Sequence, residues 1–170
     1  AGFPQGIQFL DLILNAFADM TGGDNGKLLA GAFFQSLCMG IDLLIEFDSF
    51  FKKKIKNFAK YTKVKVVPVY GGESIIRQFK DLDVQPQILV ATPGRLIDLI
   101  ERKKVHLENV RFLVLDEADE MLNMGFKEDI ERIFREIPED HRTLLFSATM
   151  PREIANIATN YMKNHVEIAI

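Results

Sequence analysis

From Lys63 onward the chain alternates short β-branched and apolar runs with amphipathic stretches, and a glycine, hydroxyl or acidic residue follows each run. Runs this short and this apolar suit strands buried on both faces, and their alternation with helical stretches predicts a mostly parallel sheet sandwiched by helices, an α/β fold. The strands are expected at VKVVPVY (Val64 to Tyr70), QILVA (Gln87 to Ala91), RFLVL (Arg111 to Leu115) and TLLFS (Thr143 to Ser147), with VEIAI closing the chain as a last strand. The intervening helices follow from spacing. One carries Ile75, Ile76, Phe79 and Leu82. The next opens at Thr92, whose hydroxyl is expected to cap it, with Pro93 in the first turn and Leu96, Leu99 and Ile100 on the buried face. A third runs from about Lys127 to Ile137, with Ile130, Ile133, Phe134 and Ile137 on one stripe, and a fourth starts at Pro151.

The residues before Lys52 obey a different regime. Through Phe51 the only basic residue is Lys27, set against Asp11, Asp19, Asp24, Asp42, Glu46 and Asp48, and phenylalanine is far denser than later in the chain. Leu10, Ile13, Leu14 and Phe17 have helical spacing, and Thr21 to Gly26 reads as a loop. A second helix is expected from Leu28 to about Met39 and a strand at Ile41 to Phe47. Asp48 or Ser49 then caps a helix through Tyr61 that buries Phe51, Ile55 and Phe58. A divergent or engineered first part, a fusion or reading-frame discontinuity upstream of Lys52, or an imperfectly assigned sequence would each produce such a break.

Composition excludes several classes. At 170 residues the chain suits one compact domain. The lone Cys38 cannot form an intramolecular disulfide, so a reducing cytoplasmic location is expected. No apolar stretch is long enough to span a membrane, and the opening AGFPQGIQ suggests neither a secretory signal nor an anchor. A net charge of −3 rules out polyanion binding through bulk charge, so any nucleic-acid contact must be local. His106, His141 and His165 lack metal-ligand spacing and read as surface or packing residues.

In an open parallel sheet, ligands bind at the carboxyl ends of the strands, and the chemically distinctive residues fall there. Gly71-Gly72 follows the first of these strands, Thr92-Pro93-Gly94-Arg95 the second, Asp116-Glu117-Ala118-Asp119 the third and Ser147-Ala148-Thr149 the fourth. An adjacent acid pair can hold Mg²⁺ through oxygen and orient a water. Each motif also has a plain structural reading: an acidic first turn for Asp116 to Asp119, a turn for Gly71-Gly72, helix caps for Ser147 and Thr149, and a solvated surface charge for Arg95.

Taken together, in this order and at these separations, the four motifs resemble those of DEAD-box ATP-dependent RNA helicases. The likeness runs from about Lys54 to Ile170 and includes the phrases LDEADEMLNMGF and LLFSATMPREI. It implies a RecA-like P-loop NTPase fold, the first of the family's two RecA-like domains, with residues 1–53 atypical and the second domain absent. It implies ATP and Mg²⁺ as cofactors, RNA as partner through backbone contacts with little sequence specificity, and a monomer. Asp116 would hold Mg²⁺ through water, Glu117 would position the attacking water, and Asp119 would bond to Ser147 or Thr149 in the Ser147-Ala148-Thr149 coupling motif. Gly71, Gly72, Thr92, Pro93, Gly94 and Arg95 would face RNA phosphates.

The family also holds ATP phosphates in a glycine-rich loop, and the candidate here is Thr21-Gly22 through Gly26-Lys27, with Gln8 in the place of the base-reading glutamine. Two residues depart from that pattern. Leu28 stands where a hydroxyl should ligate Mg²⁺, and Asp24 brings negative charge into a nest for anions. The arginine-bearing RNA motif expected before Ser49 is also missing. A nucleotide-incompetent fragment that binds RNA or protein is therefore the second reading.

Overall fold

A computed structural model describes the strand Ala30–Phe33 and residues 64–169. Among these the strands are β1 (Ala30–Phe33), β2 (Val66–Val69), β3 (Ile88–Ala91), β4 (Phe112–Leu115) and β5 (Arg142–Leu145), and the helices are α1 (Ile75–Leu82), α2 (Pro93–Glu101), α3 (Ala118–Asn123), α4 (Lys127–Glu136) and α5 (Arg152–Tyr161). The sheet order is β2-β3-β1-β4-β5, and every pairing is parallel.

Four strands lie where their apolar runs predicted. Val67, Val69, Leu89, Ala91, Leu113 and Leu115 point to one face and join a core with Leu96, Leu99, Met121, Ile130, Ile133 and Ile154. Ile88, Val90 and Val114 alternate with them and are buried as well, so both faces of the central strands are covered. On the helical side, Phe134 of α4 stacks on Tyr161 of α5 with ring centroids 4.5 Å apart, and Arg132 of α4 bonds Glu101 of α2 at 2.7 Å. The predicted stripe Ile130, Ile133, Phe134 and Ile137 is buried throughout.

Two expectations are corrected. The helix expected from Leu28 to Met39 gives way, at Ala30–Phe33, to a strand seated between β3 and β4. Helix propensity is a weak prior, and the facing edges of two buried strands present N–H and C=O groups that only another strand satisfies. The closing VEIAI forms no strand over residues 166–169: Val166 and Ile168 are more than four-fifths exposed, and no described strand pairs with them. β-propensity without a neighbouring ladder does not make a strand. The predicted helices over 10–17 and 49–61, the strand over 41–47 and the loop over 21–26 lie outside the described residues.

Candidate functional site

Because all the strands are parallel, their carboxyl ends share one rim, and ladder bonds carry that order past the strand ends. Thr92 N–H donates to Val69 O at 3.1 Å, Phe146 N–H to Leu115 O at 2.8 Å, and Ala118 N–H to Phe146 O at 3.0 Å. The turns beginning at Gly71, Thr92, Asp116 and Ser147 therefore lie along one edge of the sheet, as the reading of the sequence required. Gln8, Thr21, Gly22, Gly26 and Lys27 lie outside the described residues.

At one end of the rim sits a dense polar cluster. Asp116 leaves β4 nearly buried, 9 % exposed, and its Oδ1 accepts the Glu117 N–H at 3.1 Å. Burial, reinforced by the neighbouring Glu117 charge, pushes its pKa up to about 6 despite that hydrogen bond. Glu117 adopts the left-handed conformation, φ 51 and ψ 47, at the N-cap of α3. Burial raises its pKa too, with Asp119 and Glu120 adding like charge. Holding a non-glycine residue there costs about 1 kcal/mol or more.

Asp119 is placed differently. Its Oδ2 accepts the Thr149 hydroxyl at 2.6 Å and the Thr149 N–H at 2.9 Å, while its own N–H donates to Ser147 Oγ at 3.2 Å. Ser147 Oγ in turn donates to Thr149 O at 2.6 Å. Burial would raise the Asp119 pKa, but the hydrogen bonds from Thr149 and from the Glu120 N–H outweigh it and hold the carboxyl below its usual value. Ser147 and Thr149 thus fasten Asp119, and no side chain caps α5, which begins after Pro151. Ala148 is exposed between them.

The other end of the rim is built from glycines, backbone groups and Arg95, with Glu73 paired to Arg77 at 3.5 Å. Gly72 has φ 82, which a glycine accommodates freely. Gly71 is different: a Cβ built there meets nothing within 4 Å, and at Gly94 it meets only ordinary contacts at 3.8 Å. Neither glycine is demanded by packing. Thr92 occupies the N-cap of α2 but makes no side-chain cap bond, contrary to expectation, and buried Pro93 opens the helix. Arg95 is half-buried and not a free surface charge: Nη1 and Nη2 donate to Glu73 O at 3.2 and 3.3 Å, and Nη1 also to Gln78 Oε1 at 2.8 Å.

Gln78 escaped the sequence reading. It is 2 % exposed and donates from Nε2 to Tyr70 O at 2.9 Å. Its signal was present, since Ile75, Phe79 and Leu82 mark the inner stripe of α1 and Gln78 is the polar residue interrupting it.

The profile of DEAD/DEAH box helicases matches residues 48–157. The chain belongs to that family. Relatives include the DEAD-box ATP-dependent RNA helicase CshA of Bacillus cereus, 50 % identical over 118 residues, covering 69 % of this chain and 22 % of that protein. ATP-dependent RNA helicase CshA of Limosilactobacillus reuteri is 53 % identical over 119 residues, covering 70 % of this chain and 24 % of that protein. The chain thus spans about a quarter of the length of these relatives. Among solved structures, the yeast DEAD-box splicing factor Prp28 aligns with TM-score 0.69 at 30 % identity, over 86 % of this chain and 35 % of that one. A DEAD box protein from Methanococcus jannaschii aligns with TM-score 0.65 at 39 % identity, over 84 % and 36 %. The family match begins at residue 48, close to the compositional break near Lys52. No described helix is long and apolar enough to cross a membrane.

Proposed function

We propose that the chain is the first RecA-like domain of an ATP-dependent RNA helicase, as a single domain over residues 1–170 whose residues 1–53 are atypical. The observation that carries this reading is the acidic cluster at the ends of β4 and β5: an under-neutralised Asp116 beside Glu117, with Asp119 fastened to Thr149. Asp116 accepts the Glu117 N–H and has a raised pKa, the state of a carboxylate that a cation would neutralise.

In this reading Asp116 holds Mg²⁺ through water, and Mg²⁺ supplies charge neutralisation at the transferring phosphate. Glu117 orients the attacking water from its left-handed position. Asp119 ties α3 to the Ser147-Ala148-Thr149 turn, so a shift at the nucleotide is felt at both turns. Gly71, Gly72, Thr92 and Gly94 admit RNA phosphates to backbone N–H groups, which suits contacts that ignore base identity. Thr21, Gly22, Gly26 and Lys27 would cradle the nucleotide phosphates, with Gln8 at the base. A second RecA-like domain would complete the site with arginines, so the isolated chain, a cytoplasmic monomer in this reading, should unwind little.

A fluorescent-nucleotide titration with and without Mg²⁺, repeated on Lys27→Ala and Asp116→Asn, tests the proposal. Mg²⁺-dependent binding that both substitutions weaken is expected, and binding indifferent to both contradicts it. Leu28 and Asp24 favour the second reading, a nucleotide-incompetent module that binds RNA or protein. It predicts oligonucleotide binding that persists with no nucleotide binding at all.

A further inference from the structure

Arginine beside a polynucleotide site is ordinarily taken to grip phosphate, yet the Arg95 guanidinium is engaged within the chain. It spans the Glu73 carbonyl and the Gln78 side chain, and Gln78 reaches on to the Tyr70 carbonyl. Tyr70 and Glu73 flank the glycine pair. The Gly71-Gly72 turn is therefore held at both ends, at its start by Gln78 and at its finish by Arg95 from the first turn of α2.

The chemistry of this chain of bonds is exacting. A guanidinium only donates and a carbonyl only accepts, so the residue between them must accept at one side and donate at the other. A glutamine amide does both and has the reach, and its orientation is fixed by its neighbours. Glutamate lacks the donor, and methionine of similar length lacks both strong donor and acceptor. Burial at 2 % exposure keeps water from substituting, which explains a polar residue on the inner stripe of α1.

We propose that Gln78 and Arg95 are positioning residues that clasp the Gly71-Gly72 turn to the start of α2, making the two turns one rigid cradle for successive phosphates of a single-stranded RNA. The use of the clasp rests on the RNA-binding reading above; the clasp itself does not. Arg95 then acts through the Glu73 carbonyl rather than by touching RNA, and Thr92, Gly94 and the glycine pair are left as the contacts.

The test uses the 170-residue chain with Gln78→Met, Arg95→Met and the double variant. Amide hydrogen exchange over residues 71–74 should accelerate in each single variant and more in the double, yet by less than the product of the two, since Gln78 and Arg95 hold opposite ends of the turn and share the 2.8 Å bond between them. Binding of a fluorescein-labelled 12-nucleotide oligouridine should weaken about tenfold in each single variant and by less than the product in the double, as residues of one network behave. Unchanged exchange in Arg95→Met, or effects that multiply in the double variant, overturns the clasp. If Gln78→Met does not fold, Arg95→Met reads the same contact from a half-buried position. If wild type fails to bind oligouridine while exchange responds as stated, the clasp is supported and its use on RNA is overturned. A direct phosphate contact by Arg95 would instead show as lost oligouridine binding with exchange at 71–74 unmoved.

Discussion

The two ends of the rim solve opposite electrostatic problems. At β4 and β5 the chain gathers Asp116, Glu117, Asp119 and Glu120, raises the pKa of the first two by burial and by neighbouring like charge, and bends Glu117 into a left-handed conformation. At β2 and β3 it brings glycines and backbone, with Arg95 engaged on a carbonyl and an amide and Glu73 paired with Arg77. Unrelieved negative charge is a standing cost that binding a cation removes, whereas a rim without an excess of acids, and with glycines that packing does not require, leaves room for a polyanion. If the proposed function holds, the same sheet edge takes Mg²⁺ at one end and phosphates at the other, and a substitution at one end should spare the other.

The largest effect is expected from Asp116→Asn. If the acidic end holds Mg²⁺ for a reaction, hydrolysis measured with the partner domain present should fall on the order of 100-fold or more. The variant should also be more stable at pH 8. The folded pKa of about 6 lies above the usual 3.8, so Asp116's contribution to stability is full below 3.8 and is lost as pH rises through about 6. The amide cannot ionise, so thermal melts across pH 4 to 8 should lose that slope. Mg²⁺ affinity in the wild type should weaken as pH falls below about 6, because protons compete for the same oxygen. An oligouridine titration should not notice the substitution; if it does, the two ends are not electrostatically separate.

Next comes the Asp119 fastening. Thr149→Val removes the 2.6 Å hydroxyl bond to a carboxylate and should cost about 2 kcal/mol in denaturant unfolding at pH 7. The Asp119 pKa is lowered, so the stability it contributes is present above 3.8 and is lost as pH falls through its folded value. The difference between wild type and Thr149→Val should therefore shrink in acid. A constant difference down to low pH would mean that the hydroxyl acts through packing and not through the carboxylate.

How much of this was legible depends on whether a residue's role is set locally. VVPV, ILVA and FLVL announce themselves as strands because nothing polar interrupts them, TLLFS gives a half-buried strand at the end of the order, and their turns then fall on one rim by parallel topology alone. Ala30–Phe33 is a strand because β3 and β4 need a partner between them, a fact written in their sequences and not in AGAF. VEIAI fails for the converse reason, having the propensity and no neighbour. The Asp119 to Thr149 bonds joined residues whose nearness only the family resemblance supplied. Gln78 was visible as a polar break in an apolar stripe, but its partners, Tyr70 and Arg95, come from a strand end and another helix.

The smallest pair of effects separates the two ends most cleanly. Glu117→Gly relieves a left-handed residue and should raise stability by about 1 kcal/mol, while abolishing whatever the carboxylate does to water. Gly71→Ala should change stability by less than about 0.5 kcal/mol, since Gly71 is exposed, its φ is not in the left-handed range and the added methyl meets nothing within 4 Å. If Gly71 is a glycine for the sake of an RNA backbone that approaches from outside, the same methyl should still weaken oligouridine binding severalfold, by keeping a phosphate away from the turn. A glycine kept for the fold would give the reverse, a loss of stability with affinity intact. Measuring both quantities on this one variant therefore decides whether the glycine end of the rim is shaped for the chain itself or for something laid across it.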